Sequence, residues 1–179
     1  MFRFSTSSYL SPARSYYDSA LSFCGSSSDE EERCSFNEWV VEDPSDFSIT
    51  HLNSSNYQLE QLECFSKTFE ICSQLKILDL SQNKLRELPP CFGEQFIGLK
   101  ELILLNNQLA GLPESFGKLA NLTKLNLGNN QLTSISNDSL KHLTKLTVLI
   151  LDNNQLESLP ESIDQLPYLR KLHISSNHS

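Results

Sequence analysis

Residues 99–113 read Leu-Lys-Glu-Leu-Ile-Leu-Leu-Asn-Asn-Gln-Leu-Ala-Gly-Leu-Pro, and the reading of this stretch decides the fold. Leu99, Leu102 and Leu104 precede Asn107, and Leu109, Leu112 and Pro113 follow it. Leu-x-Leu alternation is the two-residue period of a strand, leucine on one face and variable residues on the other. The template recurs on both sides. Upstream stand Leu75, Leu78, Leu80, Asn83, Leu85, Leu88 and Pro89. Downstream come Leu122, Leu125, Leu127, Asn130, Leu132 and Ile135, with Ser136 in the proline's place. Leu146, Leu149, Leu151, Asn154, Leu156, Leu159 and Pro160 make a fourth unit, and Leu169, Leu172, Ile174 and Asn177 open a fifth. The asparagines at 83, 107, 130, 154 and 177 are separated by 24, 23, 24 and 23 residues.

A unit of this kind is one strand and a turning, loosely helical return, and it cannot bury its leucines alone. Stacked neighbours share a continuous core, with the strands along the inside of an arc. The repeated asparagine carries both a donor and an acceptor, so it can satisfy backbone groups where the chain leaves the strand. These residues predict an α/β solenoid: a curved parallel sheet on the concave face, and short helical or irregular returns on the convex face.

The pattern resembles the leucine-rich repeat family over about 105 residues. The endings Leu112-Pro113-Glu114-Ser115-Phe116 and Leu159-Pro160-Glu161-Ser162-Ile163 are similar to the intracellular 23-residue class, found in Ras-pathway scaffolds, polarity proteins and phosphatase regulators. The 24-residue steps lean towards the receptor-like class. What the resemblance implies is a protein-binding module whose ligand sits on the concave face.

The units divide as 75–98, 99–121, 122–145, 146–168 and a partial 169–179. Before them, Leu62, Phe65, Phe69 and Cys72 share one helical face, which predicts a helix over about 59–73 covering the open end of the first unit. Within 47–74, Ile49, Leu52, Leu59 and Leu62 also fit a degenerate zeroth repeat, with Tyr57 in the asparagine position. Residues 1–46 carry nine acids and three arginines, a net charge of 3 − 9 = −6, within a whole-chain charge of −8. Ten serines in the first thirty residues and the run Asp29-Glu30-Glu31-Glu32 predict a disordered arm, because little apolar surface offsets the entropy of ordering. Ser26, Ser27 and Ser28 each have an acid three residues on, the pattern of an acidophilic kinase substrate.

The acidic balance argues against a nucleic-acid binder, which needs a basic face. No run of 18 apolar residues predicts a membrane span. Five cysteines without CxxC spacing, and a start without an apolar export segment, predict free thiols in a reducing, cytoplasmic setting. The histidines are scattered, and the nearest phosphate-loop match, Gly111 to Lys118, has one residue too many between its glycines. No cofactor, metal or catalytic residue is expected, and the chain reads as non-enzymatic.

Function is therefore sought on the outward strand positions. These are Ile77, Asp79 and Ser81, then Glu101, Ile103 and Leu105, then Lys124, Asn126 and Gly128, then Val148, Ile150 and Asp152, and lastly Lys171, His173 and Ser175. Ile103, Leu105 and Ile150 are expected anchors of a partner, with Asp79, Lys124, Asp152 and Lys171 as a charged rim. Leu166, Leu169, Leu172 and Ile174 are expected to lack a covering repeat, which truncation explains first, and otherwise self-association through that end or a partner that supplies the cap. The reading is an adaptor, scaffold or regulatory subunit. Its alternative is a secreted pathogen effector, or a fragment of a larger repeat protein whose activity lies in another domain.

Overall fold

A computed structural model describes residues 51–62, 64 and 73–177. The serine-rich arm, Ser26–Ser28 among it, and residues 65–72 of the predicted helix lie outside the described residues.

Six three-residue strands form one parallel sheet in chain order: β1 (His51–Asn53), β2 (Ile77–Asp79), β3 (Glu101–Ile103), β4 (Lys124–Asn126), β5 (Val148–Ile150) and β6 (Lys171–His173). Parallel neighbours need a long crossover. The four returns from β2 onward supply it with short helical pieces: α1 (Phe92–Gln95), a 3₁₀ turn at Glu114–Lys118, α2 (Asn137–Leu140) and a second 3₁₀ turn at Glu161–Gln165. The centre of every strand is a leucine, and the register aligns Leu52, Leu78, Leu102, Leu125, Leu149 and Leu172 across the sheet. The first five of these are buried.

Sheet and returns enclose a single core of stacked leucines. On its return side Phe92, Phe96 and Phe116 pack together, with Phe92 and Phe116 stacked at a centroid distance of 6.3 Å. Leu140 and Ile163 continue that position into the later repeats as buried side chains.

The asparagines tie the repeats together. Asn107 Oδ1 accepts the Leu85 N–H at 3.1 Å, and its Nδ2 donates to Leu80 O at 2.9 Å and Leu104 O at 3.1 Å. Asn83, Asn130, Asn154 and Asn177 repeat this bridge between one unit and the unit before it. The residue before each bridge turns left-handed: Gln82, Asn106, Asn129, Asn153 and Ser176 have φ between 53° and 58°. Asparagine tolerates that conformation better than most residues, which explains the doubled Asn-Asn of three units.

The N-terminal cap differs from a helix starting at Leu59. Residues 59–62 are non-helical, while Ser73 and Gln74 are helical. β1 is a genuine strand of a degenerate repeat: Leu52, Leu59 and Leu62 are buried, and the Tyr57 and Leu59 N–H groups both donate to Asn83 Oδ1 at 3.0 Å. Leu59 is held extended from both sides, its N–H donating to Asn83 Oδ1 and its carbonyl accepting the Lys84 N–H at 2.8 Å. Ser54 stands where later repeats carry Leu80 or Leu104, and it too is fully buried.

The expectation of free thiols is overturned for one pair. Cys64 and Cys91 form a disulfide with Cα atoms 5.9 Å apart. Cys64 lies twelve residues after Leu52, and Cys91 thirteen after Leu78. Nearly equivalent positions of adjacent repeats come within bridging distance, so the zeroth repeat, once aligned, carries the signal for this bond.

Candidate functional site

Register sorts the outward side chains into rows running across the sheet. One row is His51, Ile77, Glu101, Lys124, Val148 and Lys171. The next is Asn53, Asp79, Ile103, Asn126, Ile150 and His173. Backbone bonds beyond the strands extend the ladder to Ser81, Leu105, Gly128, Asp152 and Ser175. All fifteen sequence-predicted outward positions thus lie on one face.

They are less free than the sequence suggested. Ile77, Ile103, Leu105, Val148 and Ile150 are half-buried by their row neighbours rather than standing clear in solvent. They form two groups, Ile77 with Ile103 and Leu105, and Val148 with Ile150, separated by the β4 column. Within that column Lys124 Nζ leans to Glu101 at 2.7 Å, and Asn126 Oδ1 accepts the Gly128 N–H at 3.0 Å. Gly128 leaves room for its neighbour: a Cβ there would meet Leu105 Cδ1 at 3.2 Å.

Two of the rim carboxylates also serve the backbone. Asp79 Oδ1 accepts the Ser81 N–H at 2.9 Å, and Asp152 Oδ1 accepts the Ser175 N–H at 2.6 Å. His173 Nδ1 lies 3.8 Å from Asp152 Oδ2, an ion pair only when the imidazole is protonated. Lys171 is exposed. Sequence reasoning missed the turn-forming role of Asp79 and Asn126, although an Asp or Asn two residues before the chain turns is a usual signal for it, and it missed the Asp152 bond to the next repeat.

The apolar end is partly closed. Leu166 is buried, Leu169 half-buried, and Leu172 and Ile174 are 37% and 38% exposed, with Tyr168 more open beside them. Leu166, which ends the second 3₁₀ turn, belongs to the buried leucine core.

Among the described residues no group of three or more His, Cys, Asp or Glu could hold a metal ion, and no helix is long and apolar enough to cross a membrane. What this face offers chemically is a shaped, mixed polar and apolar surface for non-covalent binding.

The leucine rich repeat family profile matches residues 73–132, 97–156 and 120–178, more than half of the chain. The chain belongs to the leucine-rich repeat family. Leucine-rich repeats generally mediate protein–protein interaction and are typically non-enzymatic. By sequence it is 35% identical over 116 residues to mouse leucine-rich repeat serine/threonine-protein kinase 1, covering 49% of this chain and 6% of that protein. In three dimensions it resembles a leucine-rich repeat protein of Leptospira interrogans, with TM-score 0.62 and 32% identity over 76% of this chain and 39% of the other. It also resembles a chain of the Drosophila Toll–Spätzle complex, with TM-score 0.61 and 33% identity over 67% of this chain and 16% of that one. The chain spans well under half the length of these three relatives.

Proposed function

We propose that the sheet face binds a protein partner and that the chain acts as an adaptor, scaffold or regulatory subunit. The observation that carries this reading is the pair of apolar groups, Ile103 with Leu105 and Val148 with Ile150, on a face framed by Asp79, Glu101, Lys124, Asp152, Lys171 and His173. Half-buried apolar side chains are already ordered, so a partner that covers them gains their remaining exposed area at little conformational cost. The polar frame sets orientation and on-rate. A solved relative that is part of a protein complex, Toll with Spätzle, supports the same reading.

The test compares the unaltered chain with the Ile103→Glu, Leu105→Glu double variant as affinity baits. Any captured protein is then purified and titrated against both. A partner that binds directly and loses at least about tenfold in affinity to the variant, roughly 1.4 kcal/mol, supports the reading. Equal affinity for both would move the binding surface elsewhere.

One observation favours the alternative of a secreted protein. The Cys64–Cys91 bond is of a kind that persists in oxidising compartments, whereas cytoplasmic thiols are kept reduced. Quantifying the oxidised fraction of this pair in protein taken directly from its native cells distinguishes the settings.

A further inference from the structure

The repeats from residue 75 onward carry ten acids and ten bases and are neutral as a whole, yet their charges are not evenly placed. The edge where the chain enters the strands is basic. The ladder of backbone bonds Lys100 N to Lys76 O, Thr123 N to Lys100 O, Thr147 N to Thr123 O and Arg170 N to Thr147 O stacks these residues into a single column. Lys124 and Lys171 follow at the first strand positions, and Lys145 stands just before its strand. Six of the ten bases (Lys76, Lys100, Lys124, Lys145, Arg170 and Lys171) therefore lie on this edge, with Glu101 as the acid among them. Of the six, Lys124 alone forms a salt bridge among the described residues, and it does so with Glu101. Lys100, Lys145, Arg170 and Lys171 are exposed.

The rest of this chain contains the complementary charge. Residues 1–46 have a net charge of −6, densest at Asp29-Glu30-Glu31-Glu32, and they are joined to the sheet through His51, the first residue of β1. Because all six strands are parallel, that junction lies on the same edge as the basic column. The nineteen residues from Glu32 to His51 can span about 60 Å, at about 3.3 Å each. The column from Lys76 to Arg170 covers four strand spacings, about 19 Å, so reach is no obstacle.

We propose that the acidic segment Asp29–Glu32 docks in cis along the basic strand-entry column of its own repeat domain. Docking there places the arm beside Lys124 and Lys171 at the border of the sheet face. Phosphorylation of Ser26, Ser27 or Ser28 would add about −1.5 to −2 charges each and tighten the contact. The inference does not depend on the sheet face having a partner.

The test is zero-length carbodiimide cross-linking of the full chain, with no other protein present, read by mass spectrometry. Mixing isotope-labelled and unlabelled copies separates contacts within one chain from contacts between two. The expected result is intrachain cross-links from 29–32 to Lys76, Lys100, Lys124 and Lys171, enriched at least about tenfold over Lys84, Lys118 and Lys141. They should vanish near 1 M salt, where the screening length is about 3 Å. Lys100→Gln with Arg170→Gln should reduce the remaining links to Lys124 and Lys171, with a thermal melt confirming that the variant is folded. If that variant unfolds, the salt titration of the unaltered chain decides alone. Cross-links spread evenly over all lysines, links insensitive to salt, or links found only between labelled and unlabelled copies would each overturn the proposal.

Discussion

Asn130 holds Leu109 of the preceding repeat: its Oδ1 accepts the Leu109 N–H at 3.1 Å from a buried position. Its Nδ2 spends its donors on Leu104 O at 2.9 Å and Leu127 O at 3.0 Å, one carbonyl from each repeat. Replacement by alanine orphans the buried Leu109 N–H, while Leu104 O keeps Asn107 Nδ2 at 3.1 Å and Leu127 O keeps Asn154 Nδ2 at 2.9 Å. At about 1–3 kcal/mol for one orphaned buried group, Asn130→Ala should lose about 2 kcal/mol in denaturant unfolding. Its neighbour Asn129, exposed at φ 53°, should tolerate glycine with little loss, and the contrast separates the two asparagines of the pair.

The returns approach one another more closely than any side chain allows at Gly93. A Cβ there would stand 1.7 Å from Ser115 O, which is backbone and cannot swing away. Gly93→Ala should cost about 1–3 kcal/mol by forcing two repeats apart. Gly111 is the control, since nothing lies within 4 Å of its Cβ position and its φ is not positive. Gly111→Ala should hold or raise the melting temperature.

Reduction of Cys64–Cys91 should loosen the first two strands selectively. The bond closes a loop of 27 residues, which corresponds to about 3 kcal/mol of chain entropy in the unfolded state. Hydrogen exchange before and after reductant should show faster exchange in β1 and β2 and little change in β5. Cys64→Ser should reproduce the effect without reductant. Uniform exchange across all strands would contradict a local clamp.

Ile103 and Leu105 are half-buried, so their removal also affects stability. At about half of the 1.5–3 kcal/mol for a fully buried aliphatic side chain, each should cost about 1 kcal/mol. The double glutamate variant should therefore remain folded at room temperature but melt lower than the unaltered chain, a shift that calorimetry reads directly.

The Asp138 carboxyl is held below its ordinary value of 3.8, first by the hydrogen bond from Lys141 and then by that residue's charge. A depressed folded value stabilises the fold above the unfolded value, and that contribution disappears as pH falls through the folded one. Asp138→Asn should thus flatten the acid limb of stability below about pH 4 and leave neutral pH nearly unchanged, since the pair is exposed. Acid titration of this variant and the unaltered chain by circular dichroism checks the sign.

The repeat itself was legible because it is periodic. Leu102 and Leu104 reveal a strand by alternation, and Asn107 reveals its turn by recurrence, with no knowledge of distant contacts. The sequence by itself therefore determined the parallel sheet, its leucine core and the residues on its outer face. Tertiary structure decided what depends on which residues become neighbours across about 24 positions of chain. The pairing of Cys64 with Cys91, the extended path of 59–62 in place of a helix, the half-burial of Ile103 and Leu105, and the gathering of six bases on one edge all follow from stacking. Periodicity encodes the faces of one repeat; the strand spacing of about 4.8 Å decides which side chains of two repeats touch, shield or bond one another.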